Sequence, residues 1–145
     1  MSEVTSSKQL RELIRILERK LGALKDFQTT CCGVTMAQCH ALVEIGRLGN
    51  ISLNELSRLL NLDNSTMSRT VNNLVNRNLA RREVDPQDRR YITIFLTEDG
   101  EKVFMAIEES MNIYYKNVYT LIPEDKKKQV LESLEILLEA ISNNK

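Results

Sequence analysis

The chain has 145 residues, 42% of them hydrophobic, and its 20 basic and 20 acidic side chains balance to a formal net charge of zero. This length and composition predict one folded domain, residues 1–145, with its own core, and exclude a disordered chain. No apolar run is long enough to span a membrane, and the first residues lack the hydrophobic segment of an export signal. We therefore expect a cytoplasmic protein without a membrane partner, and three cysteines, an odd number, argue against a disulfide framework.

The N-terminal third of the sequence predicts two helices. Leucine and isoleucine recur every three or four residues from Lys8 to about Gln28, which predicts a long amphipathic helix that Cys31-Cys32-Gly33 ends. A second helix is predicted from its N-cap Thr35 to about Ile45, where Gly46 and Gly49 follow.

The middle of the chain has the order of a winged helix-turn-helix. Its elements are a short amphipathic helix, a break, a helix with a polar face, a strand, a basic loop and a second strand: Ser52–Leu60, Asn61–Asp63, Asn64–Asn76, Leu79–Val84, Asp85–Arg90 and Tyr91–Leu96. A helix, a tight turn, a polar-faced helix and a basic hairpin form a motif that reads DNA.

Two further helices are predicted at the C-terminal end. Thr97 caps a helix that extends to about Val118, and Pro123 lies near the start of a last helix that ends near Asn143. The apolar stripes of the terminal helices exceed what the winged part can cover. We therefore expect a mainly α fold with a small β-wing, in which residues 1–34 and 101–145 form dimerisation helices around a lobe of residues 35–100. In the alternative, the stripes bury one another within a monomer.

The predicted helix Asn64–Asn76 supplies the first set of candidate DNA-binding residues. Its apolar residues share one side, and the opposite side has hydrogen-bonding groups with no carboxylate after Asp63. The candidates are Asn64, Ser65, Thr66, Ser68, Arg69, Asn72 and Asn73. Arginine pairs with guanine, asparagine with adenine, and serine or threonine with bases or phosphate, so this side suits the major groove of double-stranded DNA. The alternative is a polar side exposed only to water, although such sides usually carry pairs of glutamate and lysine.

The basic loop Asp85–Arg90 supplies the second set. Its proline favours a turn, and Arg89 and Arg90 can reach the narrow, electronegative minor groove. We expect Asp88 to hold Arg90 in an extended pose, or else only to cap the turn. Seven arginines and four acidic residues lie between Arg58 and Arg90, a local excess of positive charge that phosphate contact requires.

These residues resemble the MarR family of dimeric winged-helix regulators. The most specific matches are Asp88-Arg89-Arg90 at the tip of the wing and Leu96-Thr97-Glu98-Asp99-Gly100 after it. The resemblance implies a triangular homodimer whose first and last helices intertwine and whose two wings straddle a pseudo-palindromic operator, more often as a repressor than as an activator. Asn61 and Asn78 stand where the family usually has glycine, and asparagine is the next best residue for left-handed backbone geometry.

The candidate signal-sensing residues are Cys31, Cys32, Cys39 and His40. Many members of the family are released from DNA by a small molecule or by thiol oxidation. Three interpretations stay open here: small buried hydrophobic residues, a redox sensor at Cys31 or Cys32, and a site for a soft metal or organometal. The family's hydroperoxide sensors have their reactive cysteine early in the first helix, where this chain has none.

Two other classes of function are weighed against a DNA-binding regulator. A cysteine enzyme would use Cys31 or Cys32 with His40 as base, but His40 is the only histidine and no carboxylate is obviously placed to orient it. We assign no catalytic residue and, without a cofactor motif, expect no cofactor. A winged domain that binds protein instead of DNA is the other alternative. Loss of Arg69 and Arg90 should abolish duplex binding by a DNA-binding regulator, whereas it should leave the function of either alternative intact.

Overall fold

The computed structural model describes residues 2–144, with the side chains of residues 23–32 excepted. The elements, in chain order, are α1 (Glu3–Cys32), α2 (Met36–Leu48), β1 (Ile51–Ser52), α3 (Leu53–Leu59), α4 (Asn64–Asn76), β2 (Ala80–Val84), β3 (Ile92–Leu96), α5 (Glu98–Leu121), a 3-10 turn (Glu124–Lys126) and α6 (Lys127–Asn143). The prediction of a mainly helical fold with a small β-wing is confirmed. Within residues 2–144, no helix combines the length and the apolar character needed to cross a membrane.

Two compact units divide the chain, Met1–Glu108 and Glu109–Lys145, and the boundary falls within α5. In the first unit, α2, α3, α4 and the sheet enclose a core. Its largest fully buried side chains are Leu42, Ile45, Leu56, Met67, Val71, Leu74, Ile94 and Ile107. The apolar side of α4 is therefore buried, as its spacing predicts, and α4 packs against α3.

Two predicted helix ends are wrong by a few residues. The first helix continues through Cys31-Cys32, and the break falls at Gly33, whose φ is 67°. The second continues past Gly46 to Leu48 and is capped by Gly49, with φ 83°. Gly46 stays helical at a close approach to α5, since a Cβ there would lie 2.5 Å from the Phe104 ring.

The sheet has three strands, one more than the sequence predicts. It is antiparallel with the order β1-β3-β2, and Ile94 at its centre pairs with Ile51 on one side and Arg82 on the other. Because β1 has only two residues, it leaves no alternation of apolar and polar residues to detect. Its pairing attaches the hairpin to the start of α3, where Ser52 serves as N-cap.

A hydrogen-bonded junction connects the end of α4 to the start of α5. Asn78 has φ 60°, and Asn61, between α3 and α4, has φ 55°, so both adopt the left-handed geometry expected where the family has glycine. The Thr97 hydroxyl donates to the Asn78 carbonyl at 2.6 Å and accepts the Gly100 N–H at 3.0 Å. The backbone passes so close that a Cβ on Gly100 would lie 1.9 Å from the Leu79 carbonyl oxygen.

Both terminal regions expose apolar side chains. In the first unit these lie on α1: Val4, Leu10, Leu13, Ile16 and Leu17. In the second unit they lie on α5 and α6: Ile113, Tyr114, Tyr115, Val118, Tyr119, Leu121, Leu131, Leu134, Ile136, Leu138 and Ile141. Across its full length, Lys127–Asn143, α6 has no buried residue. Such extended apolar surface is more than a monomeric protein normally exposes.

Candidate nucleic-acid interface

Helix α4 begins at a well-formed N-cap. The Asp63 carboxylate accepts the Thr66 N–H at 2.6 Å, and this hydrogen bond is the largest of the effects that lower the pKa of Asp63. The carboxylate therefore stays ionised at the end of the helix where negative charge is favourable. The cap fixes Asn64 as the first helical residue, as the sequence predicts.

The side of α4 that carries the candidate DNA-binding residues is exposed. Asn64, Ser65, Arg69, Asn72 and Asn73 are exposed, and Thr66 and Ser68 are half-buried. The Arg69 guanidinium lies within 3.4 Å of the Thr66 hydroxyl, a single long hydrogen bond that leaves most of its donors available. All seven candidates thus lie on a helix whose opposite side is anchored in the core.

A cleft lies between α3 and the start of α4. Asn64 donates to the Asn54 side-chain oxygen at 3.1 Å, and Arg58 lines the same open cleft. Buried Ser57 also lines it, and its hydroxyl has no hydrogen-bond partner among the described residues. The hydrogen bond from Asn64 to Asn54 is not predictable from the sequence, because a contact across ten residues leaves no periodic signal.

The wing contains an ion pair between Asp88 and Arg90. The Asp88 carboxylate accepts from Arg90 Nε at 3.0 Å, from Arg90 Nη2 at 2.8 Å and from the Arg90 N–H at 3.1 Å. These hydrogen bonds lower the pKa of Asp88, so the contact persists above the ordinary aspartate pKa and is lost as the pH falls through the lowered value. The expected pairing of Asp88 with Arg90 is therefore present, and Asp88 also caps the turn through the Arg90 N–H.

The other arginines near the wing differ in whether they have a partner within the described part of the chain. Arg89 is exposed and makes no hydrogen bond or ion pair within the described part of the chain. Arg81 lies 4.5 Å over the Phe95 ring and pairs with Glu83, so it is engaged within the hairpin. Of the hairpin's arginines, Arg82 and Arg89, together with the Arg90 donors that do not bind Asp88, are therefore available for a ligand.

Replacing Asp88 by alanine separates orientation from charge. If only net charge matters, losing a carboxylate near phosphate strengthens DNA binding. If Asp88 orients Arg90, the Asp88→Ala variant binds duplex about three- to ten-fold more weakly, because Arg90 must then be ordered on binding. The measurement is fluorescence anisotropy with labelled duplex. Glu83→Ala, which removes a carboxylate from the same hairpin, is the matched control, and equal tightening in both variants would contradict an orienting role.

Of the candidate signal-sensing residues, only Cys39 and His40 have side chains that the structure describes. Cys39 is buried, and desolvation raises the pKa of its thiol, whereas the adjacent His40 is exposed. Among the described side chains, no three histidine, cysteine or carboxylate groups could hold a metal ion. Cys31 and Cys32 belong to α1, and their side chains lie outside the described part of the structure. The interpretation of Cys39 as a small buried hydrophobic residue agrees with its environment.

A helix-turn-helix with an exposed polar α4, followed by an antiparallel hairpin with an arginine-bearing tip, defines a winged helix-turn-helix protein. The family model described as "MarR family" matches residues 33–90, which cover this lobe up to the tip of the wing. The chain belongs to the MarR family of transcriptional regulators.

Relatives and solved structures extend the similarity over most of the chain. An uncharacterized HTH-type transcriptional regulator of Bacillus subtilis, YfiV, is 24% identical over 112 residues, covering 77% of this chain and 70% of that protein. A MarR family protein from Bacillus stearothermophilus superposes with a TM-score of 0.84 at 23% identity and covers 99% of both chains. FabT of Streptococcus pneumoniae, solved in complex with DNA, also gives a TM-score of 0.84, at 16% identity, with 94% of this chain and 99% of that one covered.

Proposed function

We propose that this protein is a homodimeric repressor that binds a pseudo-palindromic operator and is released by a chemical signal. The observation that carries DNA binding is the exposed polar side of α4, which is free of carboxylates between Asn64 and Asn76. The same lobe has a wing in which Asp88 pairs with exposed Arg90. The similarity to FabT, whose structure is a complex with DNA, supports it. Since the proposed partner is DNA, the proposed location of the protein is the cytoplasm.

In the proposed complex, each α4 enters one major groove. Arg69 can pair with guanine through two hydrogen bonds, and Asn72 and Asn73 can pair with adenine. The wing places Arg89 or Arg90 in the adjacent minor groove, where a narrow groove concentrates negative potential. Two-fold symmetry puts the half-sites about one helical turn apart.

The partner proposed for the exposed apolar side chains is a second copy of the chain. The stripe on α6 consists of residues three and four apart: Leu131, Leu134, Leu138 and Ile141, all exposed. Since a helix in water does not normally expose such a stripe, contact with an equivalent surface is the simplest way to bury it. The exposed apolar stripe on α1 is proposed to contact the second copy in the same way.

Placing a charge in the α6 stripe should disrupt the dimer. Leu134→Glu introduces an unpaired carboxylate into the proposed interface and should weaken the dimer at least about 100-fold, since an unpaired charge cannot be buried without a large cost. Sedimentation velocity would then detect a monomer. Ile136→Glu is the control, because Ile136 is exposed on the same helix outside the stripe. A Leu134→Glu variant that stays dimeric would contradict this interface.

The signal is proposed to change the separation of the two winged lobes through the terminal helices. A small molecule, a thiol oxidant or a soft metal can do so only by binding or modifying one lobe spacing better than the other. For a thiol signal we propose Cys31 or Cys32, because burial of Cys39 suppresses the thiolate that reacts. The test is release of bound DNA by oxidant, arsenite or zinc in the wild type, compared with a chain in which both cysteines are serine.

The family assignment favours a regulator over a cysteine enzyme and over a module that binds only protein. The experiment that separates them is hydroxyl-radical footprinting on the DNA upstream of the protein's own gene. A regulator should protect two patches about one helical turn apart on one side of the duplex. No protection at any salt concentration would overturn the proposal.

A further inference from the structure

Arg77, the last residue of the α4 cap, reaches a buried side chain of α2. Its backbone N–H donates to the Asn73 carbonyl at 3.1 Å, and its guanidinium Nη1 donates to Gln38 Oε1 at 2.9 Å. Gln38 is only 6% exposed. The C-terminal end of α4 is thus attached by a hydrogen bond between a charged donor and a buried acceptor, a type stronger than a neutral pair.

Gln38 is held in place independently of Arg77. Its Oε1 accepts the Thr35 N–H at 3.3 Å, and its own N–H donates to the Thr35 hydroxyl at 3.2 Å, which together form a capping box. The first turn of α2 therefore holds the Gln38 side chain through contacts that do not involve Arg77. Because the acceptor is fixed, the hydrogen bond orients Arg77 and the end of α4 that bears it.

The opposite end of α4 has its own side-chain contact. Asn64, the first residue of the helix, donates to Asn54 on α3 at 3.1 Å. The exposed candidates from Ser65 to Asn73 lie between these two contacts. A helix attached at both ends cannot tilt about its core contacts without breaking one attachment.

We propose that Gln38 and Arg77 are positioning residues for DNA binding. Their hydrogen bond, here called the brace, sets the tilt of α4 from its C-terminal end. Arg77 acts through this orientation and not as a phosphate ligand. This inference rests on the proposed DNA binding, and it assigns a positioning role to two residues outside the proposed contact surface.

The test compares Gln38→Met, Arg77→Met and the double variant. Methionine keeps the size of glutamine and the stem of arginine but has no strong acceptor or donor. We expect each single variant to bind duplex about ten-fold more weakly, and the double variant to bind no more weakly than either, because both remove the same contact. The slope of log affinity against log salt should stay that of the wild type, since no phosphate contact is lost. Thermal unfolding, followed by circular dichroism, confirms that each variant is folded at the assay temperature.

Rescue distinguishes positioning from general damage. Gln38→Glu keeps an acceptor for both Arg77 and Thr35, so its affinity should match the wild type within about two-fold. If Gln38→Met does not fold, Gln38→Glu and exposed Arg77→Met decide the question. Wild-type affinity in both single Met variants, or additive effects with a salt slope reduced by about one in Arg77→Met, overturns the brace alone. Absence of duplex binding by the wild type overturns the proposed function and the brace together.

Discussion

Arg69→Ala should weaken binding to the operator about 5- to 150-fold, because a bidentate contact between arginine and guanine contributes about 1–3 kcal/mol of discrimination. Arg69 is the only positively charged side chain among the seven candidates on α4. It is exposed and has a single long hydrogen bond, to Thr66 at 3.4 Å. Little intramolecular stabilisation therefore opposes its transfer to a base. Electrophoretic mobility shift with matched and mutated operators measures the effect.

Two further variants identify how Arg69 acts. Arg69→Lys keeps the charge but loses the planar pair of donors, so it should retain binding to non-specific duplex and lose preference for the operator. Arg47→Ala is the control for the removal of an arginine, since Arg47 lies on α2 and pairs with Glu44 at 2.6 Å. Equal affinity of Arg69→Ala and Arg47→Ala for the operator would exclude Arg69 from the interface.

Gly100→Ala should lower the free energy of unfolding by about 3 kcal/mol, at the upper end of overpacking effects, and the Tm by about 10 °C. The added Cβ would lie 1.9 Å from the Leu79 carbonyl oxygen, which is backbone and cannot rotate away. That carbonyl also accepts the Thr97 N–H at 3.1 Å. Moving it disturbs the junction that connects α4, the wing and α5. Differential scanning calorimetry measures the change.

Gly22→Ala is the control for the effect of alanine itself. No atom lies within 4 Å of a Cβ placed on Gly22, which is in the interior of α1. There alanine should leave stability unchanged or raise it by up to about 1 kcal/mol, because glycine is a poor helix former. A Gly100→Ala variant with the Tm of the wild type would show that the junction tolerates the shift.

The sequence predicts the winged lobe well because its signals are local. The apolar spacing of Met67, Val71 and Leu74 predicts which side of α4 is buried, and Asp88 lies two residues from the arginine it holds. The contacts that position α4, in contrast, join residues that are far apart in the sequence. Gln38 lies 39 residues from Arg77, and Asn54 lies 10 residues from Asn64. Such pairs leave no period in one sequence and become visible only when the elements are packed.

The ends of helices are also hard to predict from the sequence when tertiary packing decides them. The sequence predicts that Gly46 and Gly49 end α2, since glycine is a weak helix former, and Gly49 does cap the helix. The helix continues to Leu48, and the Phe104 ring occupies the space where a side chain at Gly46 would lie, so this glycine allows close packing and does not form a turn. Local propensity and tertiary packing compete at that position, and only the second depends on a residue far along the chain.

We propose that two copies of the chain, as a dimer, bind duplex DNA specifically through α4 and the wing. Selection of duplexes from a random pool, followed by affinity measurement of the enriched sequence over a range of salt concentrations, tests it most directly. We predict enrichment of an inverted repeat with half-sites about one helical turn apart, and an affinity that falls steeply with salt as phosphate contacts are lost. No enriched sequence, or an affinity independent of salt, would contradict the claim.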